Sequence, residues 1–202
     1  MGATPSTRLE PAARETLLQT AIAAIETGLA RGGGEPDTAG QAPGLLEHRA
    51  SFVTITIDGA LRGCCGTLEA TRPLLVDVWH NARASAFRDP RFAPLTAGEW
   101  RLSQLELSVL TPCERVIVAD EQELLLALVP GRDGLVLAWR GTRATFLPKV
   151  WAQVAGPRDF LQRLKHKAGW PADFWATDLE VWRYETEIIP AERPITGGTA
   201  PG

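Results

Sequence analysis

Reactive residue types are concentrated in one short block, Leu61-Arg62-Gly63-Cys64-Cys65-Gly66-Thr67. An arginine two residues before a cysteine offers a thiol nucleophile with a cation close by, and positive charge stabilises the thiolate that attacks. On this reading Cys64 is the catalytic candidate and Arg62 its partner or anion anchor. Gly63 and Gly66 would let a ligand approach the backbone, or simply permit a bulge, and Thr67 adds a hydroxyl. The opposing reading is a small buried Cys64 beside a structural arginine, since free cysteine is among the most buried residue types. The residues alone leave both open.

Which way Cys64 points depends on the hairpin that carries it. Val53, Ile55 and Ile57 alternate with Phe52, Thr54 and Thr56, the pattern of a half-buried strand, and Asp58-Gly59 is a strong hairpin signal. A two-residue loop would pair Ile55 with Arg62 and place a guanidinium on the core face. A three-residue loop, Asp58-Gly59-Ala60, pairs Ile57 with Leu61, Ile55 with Gly63 and Val53 with Cys65. That register keeps the apolar residues together and is the expected one. It makes Cys65 a core residue and sends Cys64 and Arg62 to the opposite face. Two thiols on opposite faces argue against a ring disulfide or a soft-metal site. With His48, His80 and His166 scattered and no C-x-x-C pair, neither a metal nor another cofactor is expected.

The elements around the hairpin are read from periodicity and caps. Thr7 and Glu10 predict a capping box for a helix carrying Leu17, Leu18, Ile22, Ile25 and Leu29, stopped by Gly32-Gly33-Gly34. Residues 32–47 predict a flexible loop. A second helix is expected from Thr71 to Phe87; on it Asn81 could face the hairpin and a ligand, or be a satisfied buried amide. Asp89-Pro90-Arg91-Phe92 is a turn whose charges could bind substrate but more simply fix the helix-to-loop junction. Thr96 and Glu99 predict a capping box, and Leu105 to Val109 a strand. A helix opens at Asp120, and a hairpin turns at Arg140-Gly141. Arg132 and Asp133 read as turn residues first and as a site second. A helix follows Gly156-Pro157 and ends at Gly169. Lys167 near its end could bring a second charge or a base to Cys64, although a cation there also suits the helix dipole. A last strand is expected from Leu179 to Ile189, with a frayed tail over 191–202. Hairpins separated by helices predict an α+β fold with a largely antiparallel sheet and flanking helices.

Composition removes several function classes. The chain has 202 residues and a formal net charge of −3, so no basic field favours nucleic acid. No apolar run reaches the length of a membrane span. Three cysteines behind an N-terminus with no apolar core predict a reducing, cytoplasmic setting. Most of the seven tryptophans are expected to anchor cores.

Six blocks then occur in order: LRGCCGTL at 61–68, HNARASAFRDPRFAPLT at 80–96, LELSVLTP at 105–112, GRDGLVL at 131–137, ATFLPKVW at 144–151 and KAGWP at 167–171. Together they resemble the AMMECR family, whose bacterial members are called AmmeMemoRadiSam system protein A. The resemblance implies a single domain over 8–190 with a larger and a smaller lobe and a cleft between them. It places the hallmark cysteine of a Leu-Arg-Gly-Cys-Ile-Gly-Thr block on Cys64, with Cys65 at the aliphatic position. It also implies genetic company with a Memo-like protein and a radical SAM enzyme, and brings no settled reaction. The chain departs from the pattern at Lys149, usually glutamine, at Lys165-His166, usually apolar or cysteine, and at Asp133, often histidine. Two functions are therefore expected. One is a thiol-dependent enzyme acting on a small metabolite or a partner-carried group, with Cys64 in the cleft and Gly63, Gly66, Thr67, Asn81 and Asp133 toward the ligand. The other is a non-catalytic partner of the Memo-like and radical SAM proteins.

Overall fold

The computed structural model describes residues 8–191; Thr7 and the tail from 192 onward lie outside them. Helices alternate with two four-stranded sheets, an α+β fold, and the chain divides into two units. The first runs through Leu110 and resumes at Glu187; the second is Thr111–Thr186.

In the first unit, α1 (Pro11–Leu29) starts with proline at its first turn after Glu10, with no side-chain cap. Proline suits that position because its missing N–H is one that the helix cannot use. The helix ends on Arg31, in the left-handed region at φ 56, while Gly32 N–H reaches back to Thr27 O at 2.8 Å. The stop is therefore one residue ahead of the three glycines expected to provide it. Within the 32–47 segment, Pro43–Leu46 forms a single helical turn, α2, that buries Leu45.

Strands β1 (Ser51–Ile57) and β2 (Ala60–Gly66) form the hairpin, followed by α3 (Leu74–Phe87), α4 (Ala97–Trp100) and β3 (Ser103–Leu110). The sheet order is β2-β1-β3-β8, with β8 at Thr186–Pro190. Val53, Ile55, Leu105, Leu107 and Val109 meet Leu74, Leu75, Val78 and Ala82 of α3 and Leu17, Ala21 and Ile25 of α1 in one core. Each of these is an alternate strand position or a helical repeat position, so the buried faces follow from the two periodicities.

The second unit holds β4 (Glu114–Arg115), α5 (Glu121–Ala127), β5 (Gly134–Trp139), β6 (Thr142–Phe146), a 3-10 helix (Pro148–Gln153), α6 (Pro157–Lys167) and β7 (Glu180–Tyr184). Its sheet order is β4-β7-β5-β6. Leu135, Leu137 and Val181 pack with Phe160, Leu161 and Leu164, and Trp151 stacks on Phe160 with ring centroids 4.0 Å apart. The expected final strand is two strands: β7 belongs to this sheet and β8 to the other. A change of partner at Glu185 leaves no mark on an alternation that was already imperfect.

Candidate functional site

The hairpin turn is shorter than expected, and a bulge corrects it. Asp58 and Gly59 both have positive φ, 49 and 77, as a two-residue type I′ turn requires. Ile57 therefore pairs with Ala60 and Thr56 with Leu61. The register then shifts, and from Ile55 onward the pairs are Ile55 with Gly63, Thr54 with Cys64 and Val53 with Cys65. Arg62 is the extra residue. The local turn preference and the burial of the alternating strand ask for registers one residue apart, and the bulge satisfies both. Leu61, expected on the core face, is 42% exposed as a result.

The bulge delivers Arg62 to an acid. Its Nε and Nη2 donate to the two carboxylate oxygens of Glu99 at 2.9 and 3.1 Å, and Nη2 also donates to Ala93 O at 2.9 Å. Glu99 in turn accepts from Thr96 N–H at 2.9 Å in the capping box that the sequence predicts. Arg62, first among these donors, with Thr96 lowers the Glu99 carboxyl to about 2. A carboxyl lowered on folding stabilises the fold above its unfolded value, and this contribution is lost as pH falls through the folded value. Acid unfolding followed by circular dichroism should therefore lose stability between about pH 4.5 and 2. Glu99→Gln should flatten that part of the curve; an unchanged curve would show that the pair does not matter.

Cys64 is held by its backbone. Its N–H donates to Asp89 Oδ2 at 2.9 Å, and its carbonyl accepts from Arg91 Nη2 at 3.2 Å. Asp89 and Arg91 form a two-pronged ion pair at 2.9 and 2.7 Å, which holds the buried Asp89 carboxyl well below the usual carboxylate range. The thiol accepts from Thr54 Oγ1 at 3.5 Å and is half-buried. The Asp-Pro-Arg-Phe turn thus fixes a junction and, at the same place, clamps both peptide groups of Cys64. Phe92 lies beneath both guanidiniums, with Arg91 5.5 Å and Arg62 5.7 Å from its ring centre.

Cys65 is half-buried and stands outside the core to which it was assigned. It lies on an edge strand, with no strand beyond β2 among the described residues. Its N–H donates to Ser85 Oγ at 2.8 Å, and that hydroxyl donates on to Val53 O at 2.7 Å. A hydroxyl of α3 is thereby inserted into the β1–β2 ladder. Burial, followed by the nearby Asp89 charge, pushes the Cys65 thiol up.

Gly63, Gly66, Thr67 and Asn81 also gather around the hairpin, and each has work within the protein. A Cβ on Gly63 would run into the Ser85 carbonyl, and one on Gly66 into the Phe52 ring and Ser51 O. Thr67 Oγ1 and Asn81 Nδ2 donate to Asp77 at 2.9 and 2.8 Å. Asp77, 1% exposed, also takes the N–H and hydroxyl of Ser51 at 2.9 and 2.7 Å. Burial raises its carboxyl despite these donors. Sequence reasoning missed Asp77; the signal was an acid inside the apolar run Leu74, Leu75, Val78, Trp79.

Asp133 and Lys167 belong to the second unit. Asp133 is fully buried and accepts from Val129 N–H at 2.9 Å and Arg132 Nε at 2.8 Å. Lys167 Nζ donates to Thr145 O at 3.0 Å and lies 5.3 Å from the Phe146 ring centre. The departing Lys165 is buried there too, with Nζ 2.6 Å from Glu121 Oε2. Among the described residues no helix is long and apolar enough to cross a membrane, and no group of three or more His, Cys, Asp and Glu is placed to hold a metal ion.

Comparison with known proteins agrees with the motif blocks. The AMMECR1 family model matches residues 18–189. The chain is 35% identical over 152 residues to Protein MJ0810 of Methanocaldococcus jannaschii, covering 73% of this chain and 76% of that one. It is 32% identical over 191 residues to a protein of Thermococcus onnurineus, covering 89% and 91%. The crystal structure of the uncharacterized protein PH0010 from Pyrococcus horikoshii superposes with a TM-score of 0.80 at 31% identity, over 92% of this chain and 95% of that one.

Proposed function

The chain belongs to the AMMECR1 family, and from that membership and the geometry at Cys64 we propose a thiol-dependent enzyme. Cys64 is its nucleophile, attacking an electrophilic group on a small metabolite or on a group that a partner protein carries. The observation that carries this reading is the clamp: both peptide groups of Cys64 are tied to the Asp89–Arg91 pair. A fixed backbone fixes the Cβ that carries the thiol, and holding a reactant in place is a large part of catalysis. The Arg91 side chain is 54% exposed, so it is open to an incoming anion even while paired with Asp89. Arg91 rather than Arg62 bonds the Cys64 backbone, while both guanidiniums are paired with a carboxylate, Asp89 and Glu99 respectively.

Limited alkylation tests this. In a Cys113→Ser background, iodoacetamide at neutral pH should label Cys64 first by peptide mapping. Cys65, whose thiol burial and Asp89 push up, should trail it, since only the thiolate reacts. Equal labelling, or Cys65 first, would contradict the assignment.

A second reading, docking to a Memo-like or radical SAM protein, draws on Ile117 and Leu126 of the second unit, which are 88% and 79% exposed. Exposed side chains of this kind mark contact surfaces when they cluster. Under that reading, co-purification would survive Cys64→Ala and fail in an Ile117→Asp, Leu126→Asp double variant.

A further inference from the structure

The sheet face that carries Cys64 continues past it onto two further strands. Cys64 stands directly opposite Thr54 of β1, and Thr54 directly opposite Glu106 of β3. Opposed residues of antiparallel strands share a face, so the three side chains form one row. It lies away from the core, since Val53, Ile55, Leu105 and Leu107 alternate with it and are buried. Neighbouring strands stand about 4.8 Å apart, so Cys64 and Glu106 are two such spacings apart. Between them is only Thr54, short and half-buried, with its hydroxyl 3.5 Å from the Cys64 thiol. Phe52, also half-buried, flanks the row one repeat along β1, and its ring fills the space where a side chain at Gly66 would stand.

The acids already met around the hairpin are all engaged. Asp89 is paired with Arg91 and Glu99 with Arg62, and Asp77 is surrounded by donors. Glu106 differs: it is exposed, and its carboxylate has no partner among the described residues. The row therefore has a charge direction. Arg91 stands at its β2 end, bonded to the Cys64 carbonyl, and a free carboxylate stands at its β3 end. A carboxylate near an aromatic ring suits a cation, which the acid attracts by charge and the ring by its negative face.

Resting on the reading of Cys64 as a nucleophile, we infer that its substrate carries an ammonium group a few bonds from the carbon attacked. The ammonium group lies between Glu106 and Phe52, and the carbon lies over the Cys64 thiol. Glu106 is then the residue that selects the substrate by charge.

The test compares two alkylating reagents on the full chain in the Cys113→Ser background, with Cys64 followed by peptide mapping. One is (2-bromoethyl)trimethylammonium, a cation; the other is iodoacetamide, which is neutral. With either, the thiolate forms a carbon–sulfur bond as the carbon–halogen bond breaks and halide leaves. Glu106→Gln, at an exposed position, should slow the cationic reagent at Cys64 about fivefold and leave the iodoacetamide rate unchanged. Glu106→Asp, which keeps the charge, should recover part of that loss. A cationic rate that Glu106→Gln leaves unchanged, or equal slowing of both reagents, overturns the ammonium site and leaves Cys64 standing as a nucleophile. Failure of iodoacetamide to label Cys64 in the parent chain removes the nucleophile, and this substrate with it.

Discussion

Gly63→Ala should lower the melting temperature by roughly 6–12 °C, the consequence of about 3 kcal/mol of overpacking in a chain of this size. The new methyl group would fall inside the contact distance of the Ser85 carbonyl oxygen, which belongs to helix backbone and cannot rotate away. Hairpin and helix would have to separate. That would break the Cys65–Ser85–Val53 relay at 2.8 and 2.7 Å and pull Cys64 from Asp89. A melting temperature within about 2 °C of wild type would mean that β2 has freedom which this packing denies it. The glycine beside the cysteine is thus explained by helix packing, without any appeal to a ligand.

Asp77→Ala should cost about 3–5 kcal/mol by chemical denaturation, because several buried donors lose their acceptor together. Ser51 N–H, Ser51 Oγ, Thr67 Oγ1 and Asn81 Nδ2 all converge on this carboxylate. Asp77→Asn keeps the shape but turns an amide NH2 toward these donors, so it restores only part of the loss. The pH dependence gives a second readout. Burial raises the Asp77 carboxyl, so its contribution is fully present below the ordinary carboxylate value and declines as pH rises through the folded one. The deficit of Asp77→Asn against wild type should therefore narrow on going from acid to neutral pH. A widening deficit would reverse the assigned sign.

What the sequence revealed depended on how local the deciding interaction was. Alternation in 53–57 was enough to pair Val53 with Cys65 and Ile55 with Gly63, because Val53 and Ile55 are fully buried on one face of β1. The turn was misread because a bulge at Arg62 lets a two-residue loop and that register coexist, and periodicity cannot register an inserted residue. The Thr96–Glu99 box was legible, since capping spans three residues. Its second use as the anchor for Arg62 was not, because the two are 37 positions apart. Asp77 stayed hidden for the same reason: Ser51 and Thr67 lie 26 and 10 residues from it. Of the candidate site, Arg62, Gly63, Cys64, Gly66, Thr67 and Asn81 do share one unit. Asp133 and Lys167 sit in the other, each engaged by its own neighbours.

Most of the residues around Cys64 therefore have structural partners, and the functional claim rests on the thiol and its clamp. The rate of Cys64 alkylation at neutral pH, compared between wild type and Arg91→Gln in the Cys113→Ser background, tests that claim most directly. With Arg91 holding the Cys64 carbonyl, the variant should react about tenfold more slowly at Cys64 because the thiol loses its position. The slowing at Cys65, whose thiol burial raises and Arg91 lowers in part, should be smaller. An unchanged Cys64 rate in Arg91→Gln would contradict the account and leave Cys64 as one more packed residue of the hairpin.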